Sequence, residues 1–342
     1  MDVKGPGARA HGTRPAQFAV ARAADGYDAP MEVPTSMPGR LPARVLVTGG
    51  AGFIGSHLVA ALRKAGREVV VFDDLSSGSV ANLPSDVPLV QMDVADPAIV
   101  PLIADAAPGL VIHAAAQVSV PRSMADPDRD RAVNLIGTQH VLEGARMAGA
   151  KRFVFISSGG AVYGEASNAD EGDAPAPASY YGLHKYAAEG YVRLSAMSHG
   201  IVRLPNIYGP RQRSDLEGGV VAIFIESLLA SRPITMFGDG AQVRDFLHVE
   251  DAVAGILTVA AAGADGTWNV ATGRATSINE LLAHLQRLVG VHVAVQRAPA
   301  RAGDVRNSSL AIRRIVADLG WMPRYELGEG LAQTLAEGRR SG

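Results

Sequence analysis

The chain has 342 residues, of which 47% are hydrophobic, a formal net charge of −2 and no cysteine. The balanced charge argues against a nucleic-acid partner, and the lack of cysteine excludes disulfides, thiolate metal sites and cysteine nucleophiles. No apolar run is long enough to span a membrane, and the first residues lack the apolar core of a signal peptide. We therefore expect a cytoplasmic protein that binds neither nucleic acid nor membrane nor metal.

The N-terminal residues differ in composition from the rest of the chain. Gly, Ala, Pro and Arg dominate residues 1–42, and no helical or strand periodicity runs through them. A segment that cannot bury enough apolar surface to offset its loss of chain entropy stays disordered. The sequence therefore predicts a disordered N-terminal extension over residues 1–42.

The stretch from Arg44 to His57 carries the strongest pattern in the chain. The β-branched apolar run Arg44–Thr48 ends at a glycine cluster, and a helical apolar pattern begins at Phe53, so that a strand, a tight turn and a helix follow one another. Glycines at such a turn leave backbone amides and the helix N-terminus free to approach a pyrophosphate. The residues expected to contact a dinucleotide here are Gly49, Gly52, Phe53, Ile54 and Gly55.

A carboxylate follows the next strand. The apolar run Arg67–Phe72 ends at Asp73, which lies 24 positions after Gly49. A carboxylate at this place can accept both ribose hydroxyls of an adenosine and would repel a 2′-phosphate, which favours NAD over NADP. The alternative is a glycine turn and a capping aspartate in an α/β protein that binds no dinucleotide.

Strands and helices alternate after the glycine turn, with further strands expected at Val87–Met92, Leu110–His113 and Arg152–Ile156. This alternation predicts an α/β fold with a Rossmann-type, doubly wound parallel sheet, whose ligands lie at the carboxyl ends of the strands. The residues that follow these strands, and that we expect at the cofactor, are Asp74, Leu75, Ser76, Asp93, Val94, Ala114, Ala115 and Ala116. Asp93 fits a contact to an adenine amino group and a turn-capping role equally well, and His113 is better explained as a structural histidine than as a catalytic one.

The second half of the chain is less regular. Its expected elements are a strand at Arg203–Tyr208, helices at Val220–Ala230, Asp251–Ala261 and Ile278–Val289, and a strand near Val291–Gln296. These elements suit a smaller C-terminal α/β lobe that binds substrate. We expect an NAD-binding Rossmann domain over residues 43–205 and a mainly substrate-binding lobe over residues 206–338, with some segments returning to the sheet.

Tyr181 and Lys185 lie four positions apart in a predicted helix that begins near Tyr180. That spacing puts both side chains on one helical face. A nearby ammonium stabilises a phenolate and lowers the tyrosine pKa towards neutrality, which makes the phenol a usable proton acceptor, and it can also hold the nicotinamide ribose. A surface pair is the alternative, although lysine occurs at only four positions among the 32 basic residues.

The segments TGGAGFIG (48–55), NIYGPRQR (206–213) and RDFLHVED (244–251), together with Tyr181 and Lys185, resemble the extended short-chain dehydrogenase/reductase superfamily in its nucleotide-sugar epimerase/dehydratase branch. The resemblance covers about Arg44–Gly330. It implies a Ser/Thr–Tyr–Lys triad, in which the tyrosine removes a sugar hydroxyl proton while hydride passes to tightly held NAD and later returns to the other face of the ketone. It also implies a UDP carrier and a homodimer formed through the Tyr181 helix and its neighbour.

The resemblance gives Tyr181 as the base and Lys185 as its electrostatic partner. The family usually places the third member, a hydroxyl that bridges Tyr181 and the substrate oxygen, five residues before the glycine of a VYG segment, where this chain has Gly159. We take Ser158, one residue earlier, as this hydroxyl, with Ser157 in reserve.

The residues directly after Ser158 indicate which reaction of this branch the chain carries out. Dehydratases and decarboxylases carry acidic residues directly after the hydroxyl residue, because elimination or loss of a carboxylate needs an added acid or base. Gly159, Gly160 and Ala161 offer no titrating group, which favours epimerisation.

The resemblance also assigns a nucleotide-sugar site. Asn206 and Arg244 resemble residues that contact the diphosphate, and Arg301 with Asp304 resembles the pair that clasps phosphate and ribose; an arginine fork suits a diphosphate. Arg213 falls where UDP-glucuronate 4-epimerases have an arginine that faces the sugar carboxylate. Further expected substrate contacts are Ser119, Arg122, Val220, Thr235 and Phe237.

The leading hypothesis is therefore an NAD-dependent UDP-sugar 4-epimerase that acts through a transient 4-keto intermediate, with UDP-glucuronate and UDP-galacturonate slightly preferred as substrates. UDP-glucose and UDP-galactose are the first alternative. A nucleotide-sugar dehydratase or decarboxylase and a non-catalytic dinucleotide-binding protein are the others.

Overall fold

A computed structural model of the protein describes residues 41–215, 219–300 and 304–338. Most of the predicted N-terminal extension, residues 1–42, lies outside the described residues. Its last two residues belong to the fold, because Leu41 is buried and its carbonyl accepts a hydrogen bond from the Arg67 guanidinium, while Pro42 packs against Gly109.

The helices and strands follow the predicted alternation. The strands are β1 (Arg44–Thr48), β2 (Glu68–Asp73), β3 (Leu89–Gln91), β4 (Leu110–His113), β5 (Arg152–Ser158), β6 (Ala166–Ala169), β7 (His199–Leu204), β8 (Asn206–Tyr208), β9 (Ile234–Phe237), β10 (Val243–Arg244), β11 (Phe246–His248), β12 (Gly266–Asn269), β13 (Thr276–Ser277), β14 (Val295–Ala298) and β15 (Asn307–Leu310). The α-helices are α1 (Phe53–Lys64), α2 (Ile99–Ala106), α3 (Val120–Ala125), α4 (Pro127–Arg131), α5 (Gly137–Met147), α6 (Gly159–Tyr163), α7 (Tyr180–Leu194), α8 (Val220–Leu229), α9 (Val249–Ala261), α10 (Ile278–Val289), α11 (Arg313–Leu319) and α12 (Leu327–Gly338). A short 3₁₀ turn at Val80–Asn82 and a π-helical turn at Ala132–Ile136 complete the set.

Seven strands form one parallel sheet in the order β12-β7-β5-β4-β1-β2-β3. The chain reverses its direction of travel across the sheet after β3, which is the doubly wound topology that the alternation predicts. The prediction of a Rossmann-type α/β fold is therefore confirmed. All seven carboxyl ends lie at one edge, so residues that follow different strands can meet around one ligand.

The sheet is buried on both faces, which explains why its strands are nearly continuous apolar runs. Along β1, Val45 and Val47 pack into one core cluster with residues of α1 and α9, whereas Leu46 packs into the opposite cluster with residues of α2, α5 and α7. This alternation follows from the two-residue period of a strand.

The predicted strand Arg203–Tyr208 is divided in the structure. Arg203 and Leu204 end β7 in the large sheet, whereas Asn206–Tyr208 is the separate strand β8, which pairs with β11. Pro205 separates the two strands, and since proline has no amide hydrogen it cannot continue a hydrogen-bonded ladder.

The C-terminal part builds a smaller lobe around its own core. Tyr208, Phe224, Met236, Leu281 and Leu331 are buried together there. Some segments of this part return to the rest of the fold: β12 joins the large sheet beside β7, β15 pairs with β6 of the first half, and α9 packs on the large sheet. Among the described residues, no helix is both long and apolar enough to cross a membrane.

The turn between β1 and α1 requires glycine for steric reasons. Gly49 has a φ of +67°, and a Cβ built on it would lie 2.7 Å from the backbone nitrogen of Ala115. A Cβ on Gly55 would lie 2.0 Å from the Gly49 carbonyl oxygen. These distances are shorter than van der Waals contact, so the turn packs against the ends of β4 and α1 only when both residues lack side chains.

Comparison of Gly49→Ala with Gly66→Ala separates the energetic cost of a strained backbone from the cost of a steric clash at the turn. Gly66 has a similar φ of +73°, but a Cβ added to it would meet no atom within 4 Å. We expect Gly66→Ala to lower the free energy of unfolding by about 1–2 kcal/mol, the cost of a left-handed residue. Gly49→Ala should lower it by roughly 1–3 kcal/mol more, because the backbone must move. Urea denaturation measures both, and equal losses would contradict the packing explanation.

Candidate active site

One face of α7 carries three polar side chains, Tyr181, Lys185 and Glu189, each four residues after the last. The helix begins at Tyr180 because the preceding Ser179 acts as the N-cap and accepts a hydrogen bond from the Gly182 amide at 3.2 Å. This face packs against the carboxyl end of β5, where Ser157 and Ser158 lie. The predicted pairing of Tyr181 and Lys185 on one helical face is therefore present in the structure.

The Lys185 ammonium is held in a desolvated position. The residue is 3% exposed, and its Nζ lies 4.2 Å from the centroid of the Phe155 ring. Burial lowers the pKa of Lys185 to about 7, while the negative charges of Glu189 and Asp130 act in the opposite direction. The charge of this side chain therefore changes near neutral pH rather than far above it.

The Ser158 hydroxyl lies close enough to the Tyr181 phenol to lower its pKa, so two members of the predicted triad are neighbours. The expected acidification of Tyr181 is wrong for the protein by itself. Burial raises the pKa of Tyr181 to about 12; the Ser158 hydrogen bond lowers it, and the negative charge of Asp130 raises it further. The physical reason is desolvation, because a buried phenolate loses its hydration whether or not an ammonium is near.

Ser157, the reserve choice for the triad hydroxyl, has a different partner. Its Oγ donates a hydrogen bond of 2.6 Å to Glu189 in the buried region behind the site. Ser158, by contrast, reaches Tyr181 and also caps α6, where its Oγ accepts from the Ala161 amide at 3.4 Å. The geometry therefore favours Ser158 as the hydroxyl beside the phenol.

Glu189 is the centre of a buried ionic cluster that was not predicted from the sequence. It is fully buried and accepts two hydrogen bonds from the Arg203 guanidinium, at 2.9 and 2.7 Å, and one from Arg193 at 3.1 Å. The Arg203 guanidinium also lies 4.6 Å from the centroid of the Tyr163 ring. A signal was available, because Glu189 follows Lys185 at the same spacing by which Lys185 follows Tyr181.

A second buried carboxylate, Asp130, contacts His184, the residue before Lys185. It accepts hydrogen bonds from the side-chain amides of Gln117, at 2.7 Å, and Asn134, at 2.9 Å, and lies 2.7 Å from the His184 Nδ1. It was not predicted, because the surrounding DPDRDR segment is typical of a solvated helix. Its negative charge raises the pKa of both Lys185 and Tyr181.

The glycine turn forms a cradle that fits a dinucleotide pyrophosphate. The N-cap of α1 is Gly52, which has no side chain to occupy the first amides, and the first turn, which begins with Phe53 and Ile54, carries no acidic residue. Asp73 is buried beside the turn and accepts hydrogen bonds from the amides of Ala51, at 2.9 Å, and Leu75, at 2.8 Å. The residues present therefore fit NAD, since the helix N-terminus suits the pyrophosphate and the Asp73 carboxylate suits a free ribose.

The residues expected at the adenosine half lie at neighbouring strand ends, because β2 pairs with β3. Asp74 accepts hydrogen bonds from the Ser76 amide and hydroxyl, at 2.9 and 2.6 Å. Asp93 accepts a hydrogen bond from the Ala95 amide at 2.9 Å, and Val94 after it is buried. The turn-capping role of Asp93 is thus present, and its contact to an adenine remains a prediction.

The alanines after β4 lie directly against the glycine turn. Ala114 donates its amide to the Thr48 carbonyl at 3.1 Å, and Ala115 donates to the Thr48 Oγ1 at 3.2 Å, which brings Ala116 after them to the same strand edge. His113 is fully buried between hydroxyls, with Nδ1 2.6 Å from Thr48 and Nε2 3.0 Å from Thr138. Burial lowers the pKa of His113 to about 3, in line with its predicted structural role.

Two of the residues predicted to hold phosphate and ribose lie together. Arg244 is nearly buried, and its guanidinium pairs with the Asp304 carboxylate. Arg301, the third residue of that prediction, lies outside the described residues. Asn206 and Val220 line one shallow cleft together with Phe246 of β11.

The Arg213 guanidinium already has partners within the protein. It forms a two-point ion pair with Asp215, with distances of 2.9 and 2.5 Å, and donates to the Ser77 carbonyl at 3.2 Å. Ser119 accepts a hydrogen bond from the Arg122 amide at 3.1 Å as the N-cap of α3. The remaining predicted contacts, Thr235 and Phe237, lie on the same face of β9. The opposite face of this strand holds Ile234 and Met236 and packs into the core.

Comparison with known proteins also indicates an NAD-binding epimerase or dehydratase. The model of the NAD dependent epimerase/dehydratase family matches residues 45–271. A UDP-glucose 4-epimerase of Mycolicibacterium smegmatis is 41% identical over 304 residues, which cover 85% of this chain and 97% of that protein. The crystal structure of Thermus thermophilus UDP-glucose 4-epimerase in complex with NAD is 38% identical, with a TM-score of 0.84 and coverage of 87% of this chain and 100% of that chain. MoeE5 in complex with UDP-glucuronic acid and NAD is 34% identical, with a TM-score of 0.80 and the same coverage of 87% and 100%.

Lys185→Met tests the desolvation of the ammonium. Because the pKa of Lys185 falls from 10.5 to about 7 on folding, the unfolded chain binds more protons between these pH values. Below pH 7 Lys185 is charged in both states, and the cost of burying that charge lowers the free energy of unfolding of the wild type by its full amount. As the pH rises from 7 towards 10.5 the folded protein loses the charge, and this cost disappears. We expect Lys185→Met to raise the free energy of unfolding most below pH 7 and progressively less above it.

Urea denaturation at a series of pH values measures this difference. Lys151→Met is the matched control, because Lys151 is exposed in the turn before β5. It should leave the free energy of unfolding nearly unchanged at every pH. A Lys185→Met protein that is less stable than the wild type throughout the range would contradict the burial of a destabilising charge.

Proposed function

The chain belongs to the NAD dependent epimerase/dehydratase family, and from this premise we propose that it is a UDP-sugar 4-epimerase that converts UDP-glucose and UDP-galactose into one another. Its cofactor is NAD, for which the glycine turn and Asp73 provide a fitting site. The observation that carries the proposal is the packing of the α7 face that holds Tyr181 and the buried Lys185 against the end of β5, where Ser158 lies.

The proposed reaction inverts one carbinol centre without net oxidation. Bound NAD supplies a hydride acceptor and donor, so that C4 of the sugar can be oxidised to a ketone and reduced again from its other face. Tyr181 takes the proton of the 4-hydroxyl and returns it at the end, so the overall reaction neither gains nor loses protons or electrons. Ser158 hydrogen-bonds the same oxygen, and Lys185 contributes positive charge and holds the nicotinamide ribose.

The segment after Ser158 supports epimerisation over dehydration or decarboxylation. A Cβ on Gly159 would lie 2.4 Å from the Leu310 Cδ1, and one on Gly160 would lie 2.9 Å from the Ser308 Oγ. The chain therefore lacks an acidic residue here, and a side chain at either glycine would have to displace Leu310 or Ser308. An elimination would need an added acid or base, and these positions supply none.

The neutral sugar is supported by the similarity of the chain to proteins named UDP-glucose 4-epimerase. The Arg213 guanidinium is paired with Asp215 in the same loop, so the structure does not present it free for a sugar carboxylate. The preference for UDP-glucuronate predicted above is thus not supported by this geometry, although MoeE5, which is similar to this chain, was crystallised with UDP-glucuronic acid. We place UDP-glucuronate second. We assign the diphosphate to Arg244 and Asn206 and the ribose to Asp304; a role for Arg301 rests on the resemblance alone.

Incubation with a panel of UDP-sugars tests both the proposed reaction and the proposed choice of sugar. Purified protein is incubated with NAD and, separately, with UDP-glucose, UDP-galactose and UDP-glucuronate, and the products are resolved by chromatography. We expect interconversion of the first two with no loss of water or carbon dioxide. Tyr181→Phe should reduce the rate by at least about 10²–10⁴-fold, because it removes the proton acceptor, while NAD stays bound.

The neighbouring Tyr180→Phe, at an exposed tyrosine, is the matched control and should retain activity. Conversion of UDP-glucuronate alone would overturn the neutral-sugar assignment and leave the epimerase intact. Formation of a dehydrated or decarboxylated product, or full activity of Tyr181→Phe, would overturn the proposed reaction.

We also propose that two copies of the chain associate through α7. Its outer face carries an apolar stripe, in which Leu183 is 47%, Tyr191 50% and Leu194 86% exposed. Met147, at the end of α5, is 55% exposed. Isolated exposed apolar residues are normal, but a stripe along one helix is typical of an interface. A homodimer also agrees with the resemblance on which its prediction rests.

The double variant Leu183→Glu/Tyr191→Glu should convert the dimer to a monomer, because it places like charges on a self-complementary surface. The mass in solution, measured by light scattering against 35.6 kDa for one chain, reports the result. Leu288→Glu, at a residue of α10 that is 40% exposed, is the control and should leave the dimer intact. A wild-type monomer, or equal dissociation of the control, would contradict the proposal.

A further inference from the structure

The short helix α4 extends side chains to both ends of the predicted cofactor groove. Its two successive residues Arg129 and Asp130 point in different directions: the first reaches the ends of β2 and β3, and the second reaches α7 beside Lys185. Neither the predictions from the sequence nor the proposed reaction gives Arg129 a role.

Arg129 bridges the two carboxylates that follow neighbouring strands. Its Nη2 lies 2.8 Å from the Asp93 Oδ2 and 3.9 Å from the Asp74 Oδ2. Asp74 directly follows β2, and Asp93 comes two residues after β3, which pairs with it in parallel. The guanidinium therefore spans the strand ends at which we expect the adenosine half of NAD.

The next residue, Asp130, fixes the same helix to its neighbours through buried contacts. Its buried carboxylate is bound by Gln117 and Asn134 and lies against His184, the residue before Lys185. The helix is also fixed at its start, where the Asp126 side chain accepts a hydrogen bond from the Arg129 amide at 3.0 Å. The backbone that carries Arg129 is thus held firmly.

The side chain of Arg129 is free to exchange partners. It is 43% exposed, and its contacts are to carboxylates that are 33% exposed. Exposed ion pairs of this kind contribute little to stability, so a ligand can displace or share them at small cost. A guanidinium is planar and weakly hydrated and stacks well on flat aromatic groups, which is the chemistry of an adenine.

We propose that Arg129 is a cofactor-retention residue: with Asp74 and Asp93 as its resting partners, it closes the adenosine end of the groove over bound NAD. The proposal rests on the NAD site described above, but it does not depend on which sugar is the substrate. Retention has a purpose in this reaction, because NAD must remain in place between the loss and the return of the hydride.

The rate of NAD release tests the proposal without any substrate. Protein loaded with NAD is desalted, and the nucleotide that stays bound is measured by chromatography over time. We expect Arg129→Ala to release NAD about 3–30-fold faster than the wild type, the range of a cation–π contact. Arg129→Lys, which keeps the charge but loses the planar fork, should lie in between. Arg131→Ala is the matched control, since Arg131 lies on the same helix and pairs only with the exposed Asp128 among the contacts described.

Fragments of the cofactor locate the effect. Calorimetric titration of the cofactor-free proteins should give weaker binding of NAD and of ADP-ribose in Arg129→Ala, because both contain adenosine, and unchanged binding of nicotinamide mononucleotide. Equal unfolding midpoints in urea would exclude a folding defect. Release from Arg129→Ala at the rates of the wild type and Arg131→Ala would overturn the proposal and leave Arg129 as a surface ion pair.

The outcomes separate this proposal from the proposed function. A protein that converts no UDP-sugar, but whose Arg129→Ala variant still loses NAD faster, keeps the retention role and loses the substrate assignment. A protein that converts UDP-glucose normally, but releases NAD at one rate in every variant, keeps the function and loses the retention role.

Discussion

The desolvated ammonium of Lys185 is the constraint around which the site is organised. A buried positive charge is costly unless negative groups and polarisable surfaces surround it. Here the centroid of the Phe155 ring lies 4.2 Å from the ammonium, and the negative charges of Glu189 and Asp130 both favour its charged form. Each carboxylate needs partners of its own, and these partners, Arg203 for Glu189 and the Gln117 and Asn134 amides for Asp130, fix β7, α7 and the end of β4 relative to one another.

The same burial sets the chemistry of Tyr181. The protein alone holds a neutral phenol, because desolvation raises its pKa to about 12, and Lys185 with a pKa of about 7 is only partly charged at neutral pH. Proton abstraction therefore needs further positive charge in the site, and oxidised NAD carries such a charge on its nicotinamide ring. This arrangement would lower the pKa of Tyr181, and so supply the phenolate that accepts the proton, only while the cofactor is ready to accept a hydride.

Local patterns in the sequence predicted the parts of the site that lie within one segment. The glycine turn, Asp73, the bounds of β1 and β4, and the Tyr181–Lys185 spacing all follow from short-range periodicity and turn chemistry. The second ionic partner, Asp130, could not be predicted in this way, because Asp130 and His184 are 54 residues apart and meet only after the sheet has formed. The choice between Ser157 and Ser158, the division of the strand at Pro205 and the raised pKa of Tyr181 also depend on tertiary packing.

The most direct measurement is the ionisation of Tyr181 in the NAD-loaded protein, followed by the ultraviolet difference absorbance of the phenolate with Tyr181→Phe as the blank. We predict that the pKa of Tyr181 lies below the ordinary tyrosine value of 10.0 in the loaded wild type and rises in loaded Lys185→Met. A Tyr181 pKa at or above 10.0 in the loaded wild type, or one that Lys185→Met leaves unchanged, would contradict the proposed role of the ammonium.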